Sequence, residues 1–250
     1  CAGYAHAAVI DKEGRVFTWG RNYRGQLGNN DMNLADQASP VLVTGQLLGK
    51  RAVQTVCGES HTAVLIDDGS VFAWGWNANG QLGNGDNWQQ LTPTQVGVGV
   101  LDDIPLSRLA SGWNHMFGIG PFGVLYAWGQ NIFGQLGDNG RFDRYSPAPL
   151  LNAQFKGKTA VYVEASEQNT YVLFSDGTLF SWGGSSKGQL GDGDNSTQVS
   201  VKRTPTRITD DEVQSSISLY AGKEFAFALK PDGARSEEHT SELQSPCNLV

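Results

Sequence analysis

Short apolar runs alternate with glycine-rich polar stretches along the chain, and no segment carries the sustained spacing of an amphipathic helix. An apolar run at residues 7–10 meets Glu13-Gly14, and a second run at 16–19 ends in tryptophan. The same order returns at 63–66, Asp68-Gly69 and 71–74, then at 117–119, Phe122-Gly123 and 124–128, then at 171–174, Asp176-Gly177 and 179–182. A fifth copy opens at 226–229 and stops after Asp232-Gly233. Two β-rich runs around a glycine turn predict a hairpin. Two further strands fit each period. One starts at Pro40, Pro93, Pro147 or Pro205, where a missing N–H leaves no gap in a ladder. The other covers 52–57, 106–110, 160–165 and 216–221. The pattern predicts an all-β chain with four antiparallel strands in each period of about 54 residues.

A sequence motif fixes the register. Trp-Gly-x-x-x-x-Gly-Gln-Leu-Gly begins at Trp19, Trp74, Trp128 and Trp182, with spacings of 55, 54 and 54 residues. Its glycines are Gly25 and Gly28, Gly80 and Gly83, Gly134 and Gly137, and Gly188 and Gly191. Asn22, Asn77 and Asn131 share the fourth place, and Ser185 departs. Upstream of each copy lies a Gly-x-x-His slot, with His6, His61 and His115 in turn, then Asn169 and Phe225. Four-stranded units repeating at a fixed period indicate a β-propeller.

These Gly-x-x-His, Asp-Gly, Trp-Gly and Gly-Gln-Leu-Gly positions resemble the regulator of chromosome condensation repeat, up to about Gly233. The resemblance implies a seven-bladed propeller, of which about four blades stand here as an open ring. The expected division is a half-blade at 1–28, full blades at 39–83, 92–137 and 146–191, and a truncated blade at 204–234. The chain opens mid-repeat at Cys1 without Met, which reads as a piece of a longer protein. A ring cut open exposes sheet edges, so self-association of residues 1–234 alone is expected.

After Ala234 the period fails. Residues 235–245 read as one translated frame of a common sequencing adapter, so 235–250 is expected to be a non-native tail. Without its Arg235, Glu237, Glu238 and Glu242, the formal charge moves from −7 to −5. A mildly acidic surface gives no strong nucleic-acid signal. No apolar run is long enough to span a membrane. Cys1, Cys57 and Cys247 form no disulfide framework, which fits a reducing setting, cytoplasmic or nuclear. Asn195-Ser196-Thr197 is a glycosylation triplet of a kind common by chance.

Catalytic and metal chemistry find little support. Histidines at one repeat slot are spread around a ring, whereas metal ligands converge, so the three are expected to bond backbone at a strand start. Gly184-Ser185-Ser186-Lys187-Gly188 matches a nucleophile elbow as a string, but no strand-to-helix turn surrounds it. The acidic stretches after Gly-Gln-Leu-Gly lack the twelfth-place glutamate of a calcium loop. The expectation is no enzyme, no metal and no cofactor.

The tryptophans divide into two groups. Trp19, Trp74, Trp128 and Trp182 share an invariant slot and are expected to pack between blades. Trp76, Trp88 and Trp113 occupy variable loop slots, where a large aromatic can anchor a partner. Strand alternation puts the Gly-x-x-His turns and the loops after Trp-Gly on one face. That face gathers Trp76, Trp113, Arg21, Tyr4, Glu59 and Gln130 as candidate partner-binding residues. The opposite face gathers Asp67, Asp68, Asp102, Asp103, Asp176 and 210–212, and is expected to be largely acidic. The resemblance implies a protein-interaction scaffold, with guanine-nucleotide exchange on a small GTPase as the alternative. Such exchange would need a wedge insertion, and 195–203 is the one candidate. The plant ultraviolet-B photoreceptors, built on a similar repeat, carry Gly-Trp-Arg-His-Thr, and Gly112-Trp113-Asn114-His115-Met116 lacks its arginine.

Overall fold

A computed structural model describes residues 1–193, 200–209, 218–221, 226–229 and 235–237. The strands, in order, are β1 (His6–Ile10), β2 (Val16–Gly20), β3 (Gln37–Leu42), β4 (Ala52–Cys57), β5 (His61–Ile66) and β6 (Val71–Gly75). Then follow β7 (Gln90–Gln95), β8 (Arg108–Ser111), β9 (His115–Ile119), β10 (Leu125–Gly129), β11 (Arg144–Pro149) and β12 (Ala160–Ala165). The last six are β13 (Asn169–Phe174), β14 (Leu179–Ser185), β15 (Ser200–Arg207), β16 (Ser218–Ala221), β17 (Ala226–Leu229) and β18 (Arg235–Glu237). They form five sheets: β1-β2-β3, β4-β5-β6-β7, β8-β9-β10-β11, β12-β13-β14-β15 and β16-β17-β18. All described pairings are antiparallel, and each inner strand touches the next, β4 on β8 and β8 on β12, as propeller blades do.

The strand content matches the periodicity, but the blade boundaries shift. The proline-initiated strand closes the preceding sheet instead of opening the next: β3 pairs β2, β7 pairs β6 and β11 pairs β10. The sheets therefore span 6–42, 52–95, 108–149 and 160–207, replacing the divisions 1–28, 39–83, 92–137 and 146–191. The reason is local. After Trp-Gly the chain makes one broad loop and returns along the strand it has just left. The expected truncated blade at 204–234 also changes, because β15 closes the fourth sheet on β14. Residues 235–237 pair with β17, Phe227 opposite Glu237, in the place of the missing Trp-Gly strand. An open sheet edge accepts any extended backbone, so this pairing needs no native side chain. Residues 238–250, 195–199, 210–212 and Phe225 lie outside the described residues.

Cysteine gives a second correction. Cys1 and Cys57 are joined by a disulfide, with Cα atoms 5.6 Å apart. Cys1 exchanges hydrogen bonds with Ala8, so it sits in an inner-strand position of the first sheet, facing β4 across the blade boundary. Sequence spacing alone carries no sign of that adjacency.

The sheets are locked by one repeated contact. Trp74, Trp128 and Trp182 are fully buried, and their indole N–H groups donate to the backbone carbonyls of Gln26, Gln81 and Gln135, at 2.9, 3.1 and 2.8 Å. Each carbonyl belongs to the Gly-Gln-Leu-Gly of the preceding sheet. Gly28, Gly83 and Gly137 have φ of 65, 64 and 72°, and a Cβ there would come within 2.6–2.8 Å of the same indoles. Glycine is thus required twice, for its left-handed backbone and for the approach of the ring. Gly25, Gly80 and Gly134 share the left-handed turn against β7, β11 and β15, as do Gly188 and Gly191 without a described neighbour of that kind. Trp19 has no preceding motif in the chain and is only half buried.

The histidines belong to the same lock. Thr62 and Thr170 hydroxyls donate to the carbonyls of Gln26 and Gln135, at 2.8 and 2.9 Å. His6 Nε2 lies 3.0 Å from Thr62 Oγ1, and His115 Nε2 lies 3.1 Å from Thr170 Oγ1. Each threonine has already committed its one hydrogen, so the imidazole must donate through Nε2. His61 meets Met116 Sδ and Ser111 Oγ instead, each at 3.2 Å. The Nε2 partners are thus side chains of the following sheet. All three Nδ1 atoms are buried without a partner. Burial holds the imidazoles far below their ordinary range, His6 at about 4 and His61 and His115 at about 3.

Two predictions follow from the lock. Trp128→Ala should cost ~3–5 kcal/mol in chemical denaturation of the full-length protein. Trp88, 74% exposed, should cost under ~1 kcal/mol on the same change, and equal losses would refute the packing account. Acid should also weaken the fold. The unfolded chain protonates these histidines near the usual pKa of ~6.5, whereas the fold keeps them neutral. Stability is therefore full above that pH and falls toward pH 4, at up to ~1.4 kcal/mol per pH unit for each histidine. His115→Asn, which copies Asn169, should flatten that slope, and an unchanged slope would contradict it.

Candidate functional site

Antiparallel succession divides the loops between two faces. The β4–β5 turn and the β6–β7 loop lie at one end of the sheet, the upper face. The β5–β6 turn and the β7–β8 connection lie at the other, the lower face. The remaining sheets repeat this arrangement.

On the upper face five of the six candidate residues fall into three local groups, and Tyr4 stands apart. Arg21 is exposed, and its guanidinium carbon stands 4.7 Å from the Tyr23 ring. Arg24 lies 5.2 Å from the same ring and 3.8 Å from the ring of Trp76, in the next sheet's loop. Tyr23 is pinned through its hydroxyl, 3.0 Å from Ser60 Oγ. Trp76 is thus half covered by Arg24 and does not stand free as an anchor. The second group lies at the inner turns. Glu59 N donates to Trp113 O at 2.9 Å, and Asn114 Nδ2 donates to the Glu59 carboxylate at 3.1 Å. Gln81 Nε2 donates to Asn114 Oδ1 at 2.7 Å, so Trp113 and Glu59 are held by a polar stitch between sheets. Third, Gln130 accepts from Gln135 Nε2 at 3.2 Å and is tied back to its own loop. Tyr4 stands by itself, 67% exposed.

Sequence reasoning missed Tyr23 and Arg24, which share the variable part of the motif with Arg21. It also missed a row farther out: Met32, Trp88 and Phe142 are all strongly exposed, four or five residues past the last glycine of successive motifs. Only Trp88 of these had been singled out. Apolar residues recurring at a loop slot that packs against nothing were the available signal.

The lower face differs from the acidic face expected. Lys50 lies 3.9 Å from Asp68, Arg15 lies 2.6 Å from Asp11, and Lys158 pairs with Asp176. Hydrogen bonding to Lys158 and Thr178 pulls the Asp176 carboxyl down to about 2. The lysines come from the segment entering each inner strand, which the fold lays beside the next Asp-Gly turn. Lys12, Arg51 and Lys156 add further positive charge there, so this face is mixed in sign. At the inner strands, Arg108 stacks 4.0 Å from Tyr162, and burial raises Glu164 to about 7 against the opposing pull of Arg108. Among the described residues no three His, Cys, Asp or Glu side chains converge as metal ligands.

Comparison with known proteins places this geometry. The family model described as the RCC1-like domain matches residues 1–236. The chain is 34% identical over 212 residues to the ultraviolet-B receptor UVR8 of Arabidopsis thaliana, covering 84% of this chain and 46% of that protein. It is 35% identical over 191 residues to the probable E3 ubiquitin-protein ligase HERC6 of Homo sapiens, covering 76% of this chain and 18% of that protein. The chain thus spans less than half the length of either relative. The crystal structure of Prp20p from Saccharomyces cerevisiae, reported with its binding properties to Gsp1p and histones, superposes with a TM-score of 0.79 at 25% identity, over 94% of this chain and 55% of that one. With its motif lock, its four-stranded sheets and this match over nearly its whole length, the chain belongs to the RCC1-like domain family.

Proposed function

We propose that the chain is a protein-interaction module that docks a protein partner on its upper face, through the loops carrying Tyr4, Arg21, Glu59, Trp76, Trp113 and Gln130. The observation that carries this reading is the contrast between faces. The upper one presents aromatic and arginine side chains at variable slots, the residue types that dominate interface energetics. On the lower face, charged turns satisfy one another in exposed ion pairs, which are worth little to a partner. Among the described residues no set on either face assembles a nucleophile, a base and an oxyanion donor, and binding is the work proposed.

Exchange of guanine nucleotide on a small GTPase is the second reading. It is favoured by the likeness to Prp20p, which was described for its binding to Gsp1p. The candidate wedge at 195–203 lies mostly outside the described residues. Nucleotide release from a small GTPase, followed by loss of a fluorescent nucleotide, separates the two: acceleration by the full-length protein would favour exchange.

The docking face is tested in pull-downs with the full-length protein. Trp76→Ala with Trp113→Ala should abolish partner capture while circular dichroism stays native. Asp67→Lys with Asp102→Lys and Asp103→Lys, at lower-face carboxylates outside the ion pairs above, should leave capture unchanged. Release of the partner by the lower-face variant, and not by the aromatic one, would reverse the assignment.

A further inference from the structure

We infer that the upper face carries a recognition site for an acidic segment, built from Arg21 and Arg24 on the platform of Tyr23 and Trp76. This rests on the docking-face reading and names the chemistry of what docks there.

The inference starts from what the two guanidiniums lack. Among the described residues neither Arg21 nor Arg24 forms a salt bridge, although Arg15 and Arg144 each close on a carboxylate. Their described side-chain contacts are with aromatic faces: Arg21 with Tyr23, and Arg24 with both Tyr23 and Trp76. A ring face attracts the cation but accepts none of its in-plane N–H groups. The ring contacts therefore hold each guanidinium in place while leaving its N–H groups unspent. A guanidinium fork so held matches the two oxygens of a carboxylate or the oxygens of a phosphate, and prior positioning lowers the entropy lost on binding.

The platform itself is rigid. The Tyr23 hydroxyl bonds Ser60, which belongs to the Gly-x-x-His turn of the next sheet. Arg24 N donates to Gln26 Oε1 at 2.9 Å, so the loop carrying it is tied to the motif that locks the blades. Arg24 and Trp76 come from different sheets, and the site spans a blade boundary. The one acid at the adjoining turn, Glu59, is engaged by Asn114. The acid of their own loop, Asp36, accepts from the backbone N–H of Asn22 and closes no salt bridge with either arginine among the described residues. Two guanidiniums left outside any salt bridge, over the exposed Tyr23, fit a partner segment that alternates acidic and apolar or aromatic residues.

The probes are a fluorescent peptide of alternating Glu and Ser, its twin with Gln for Glu, and a phosphoserine version. Anisotropy is read with the full-length protein at low and at physiological salt. The unmodified protein should bind the Glu or the phosphoserine peptide and ignore the Gln twin, and the stronger of the two acidic probes identifies the oxyanion. Affinity should fall with salt. Arg21→Gln with Arg24→Gln should weaken binding by roughly tenfold or more, and the corresponding Lys pair should recover part of it, because charge survives and the fork does not. Arg141→Gln, on an exposed upper loop away from the cluster, should bind as the unmodified protein does. If the double variant misfolds by circular dichroism, Arg21→Gln alone, at an exposed site, should still lower affinity. Equal binding of the Gln twin, or unchanged binding by the folded Gln variants, overturns the inference. Partner capture that survives in the Gln pair and fails in the Trp76 and Trp113 variant would refute the acidic segment and keep the docking face. Release by the lower-face variant would refute the face itself.

Discussion

One backbone carbonyl at each of the first three blade boundaries governs this structure. The glutamine of Gly-Gln-Leu-Gly presents its C=O to the next sheet, where a buried indole takes it. At two boundaries a threonine hydroxyl takes it as well, and that threonine in turn accepts from a histidine of the carbonyl's own sheet. A buried carbonyl without partners would be costly, and so would a buried indole N–H. Each group therefore requires the other, and the sheets can satisfy both only at one separation and one angle. Glycine beside the glutamine lets the ring approach closely enough. The side chains inside the loop serve the same end: Asn22, Asn77 and Asn131 accept from the N–H of Leu27, Leu82 and Leu136, which fixes where the carbonyl points. The boundary between the second and third sheets shows what the lock tolerates. With Met116 in the threonine slot, His61 turns to Met116 Sδ and Ser111 Oγ, and Trp128 keeps the carbonyl by itself.

Much of this was legible as repetition. Strand positions, hairpins and the buried tryptophans follow from a period that recurs in register, because each copy must solve the same packing problem. The limits of each blade were not legible. A strand starting at proline lies between two equally plausible neighbours in the sequence, and nothing in its composition says which it will pair. Hydrogen bonding decided for the preceding strand: Phe72 pairs with Gln95, and Ala73 with Thr94. The histidine partners escaped for a related reason. His6 and Thr62 lie 56 residues apart and meet only after two blades have docked. The Cys1–Cys57 bridge, with the same separation of 56, is a further contact of that type. Reading each repeat as a unit finds its interior and misses contacts between units.

The same limit shaped the upper face. Trp76 and Trp113 were singled out as large aromatics at slots the repeat leaves free. Their surroundings differ in kind. Trp113 sits where the inner turns exchange backbone and amide hydrogen bonds, whereas Trp76 serves as a surface for an arginine from the neighbouring blade. An aromatic in a variable slot thus has two uses, as contact area or as a support that orients a cation. Only the adjacency of blades tells them apart. The lower face makes the complementary point. Its aspartates look acidic when read along the chain, and become half of Lys50–Asp68 and Lys158–Asp176 when the segment entering each inner strand is laid beside the hairpin turn of its own sheet.

This division of labour explains how a repeat protein can acquire a specific surface. The six fixed positions of the ten-residue motif carry the lock, and changing them disturbs two blades at once. The four between Trp-Gly and Gly-Gln-Leu-Gly lie in a loop whose ends the lock already holds. Arg21, Tyr23 and Arg24 occupy three of those four. Unlike Asn22 at the remaining position, these three inherit a backbone that the lock already fixes, so their identity is open to recognition at little cost in stability. The corresponding residues of the next copy are Trp76, Ala78 and Asn79. The face is thus composed blade by blade, and neighbouring loops can hold one another's side chains, as Trp76 holds Arg24. Specificity in such a fold resides at blade boundaries, because a site there draws on two independent sets of variable positions fixed by one shared contact.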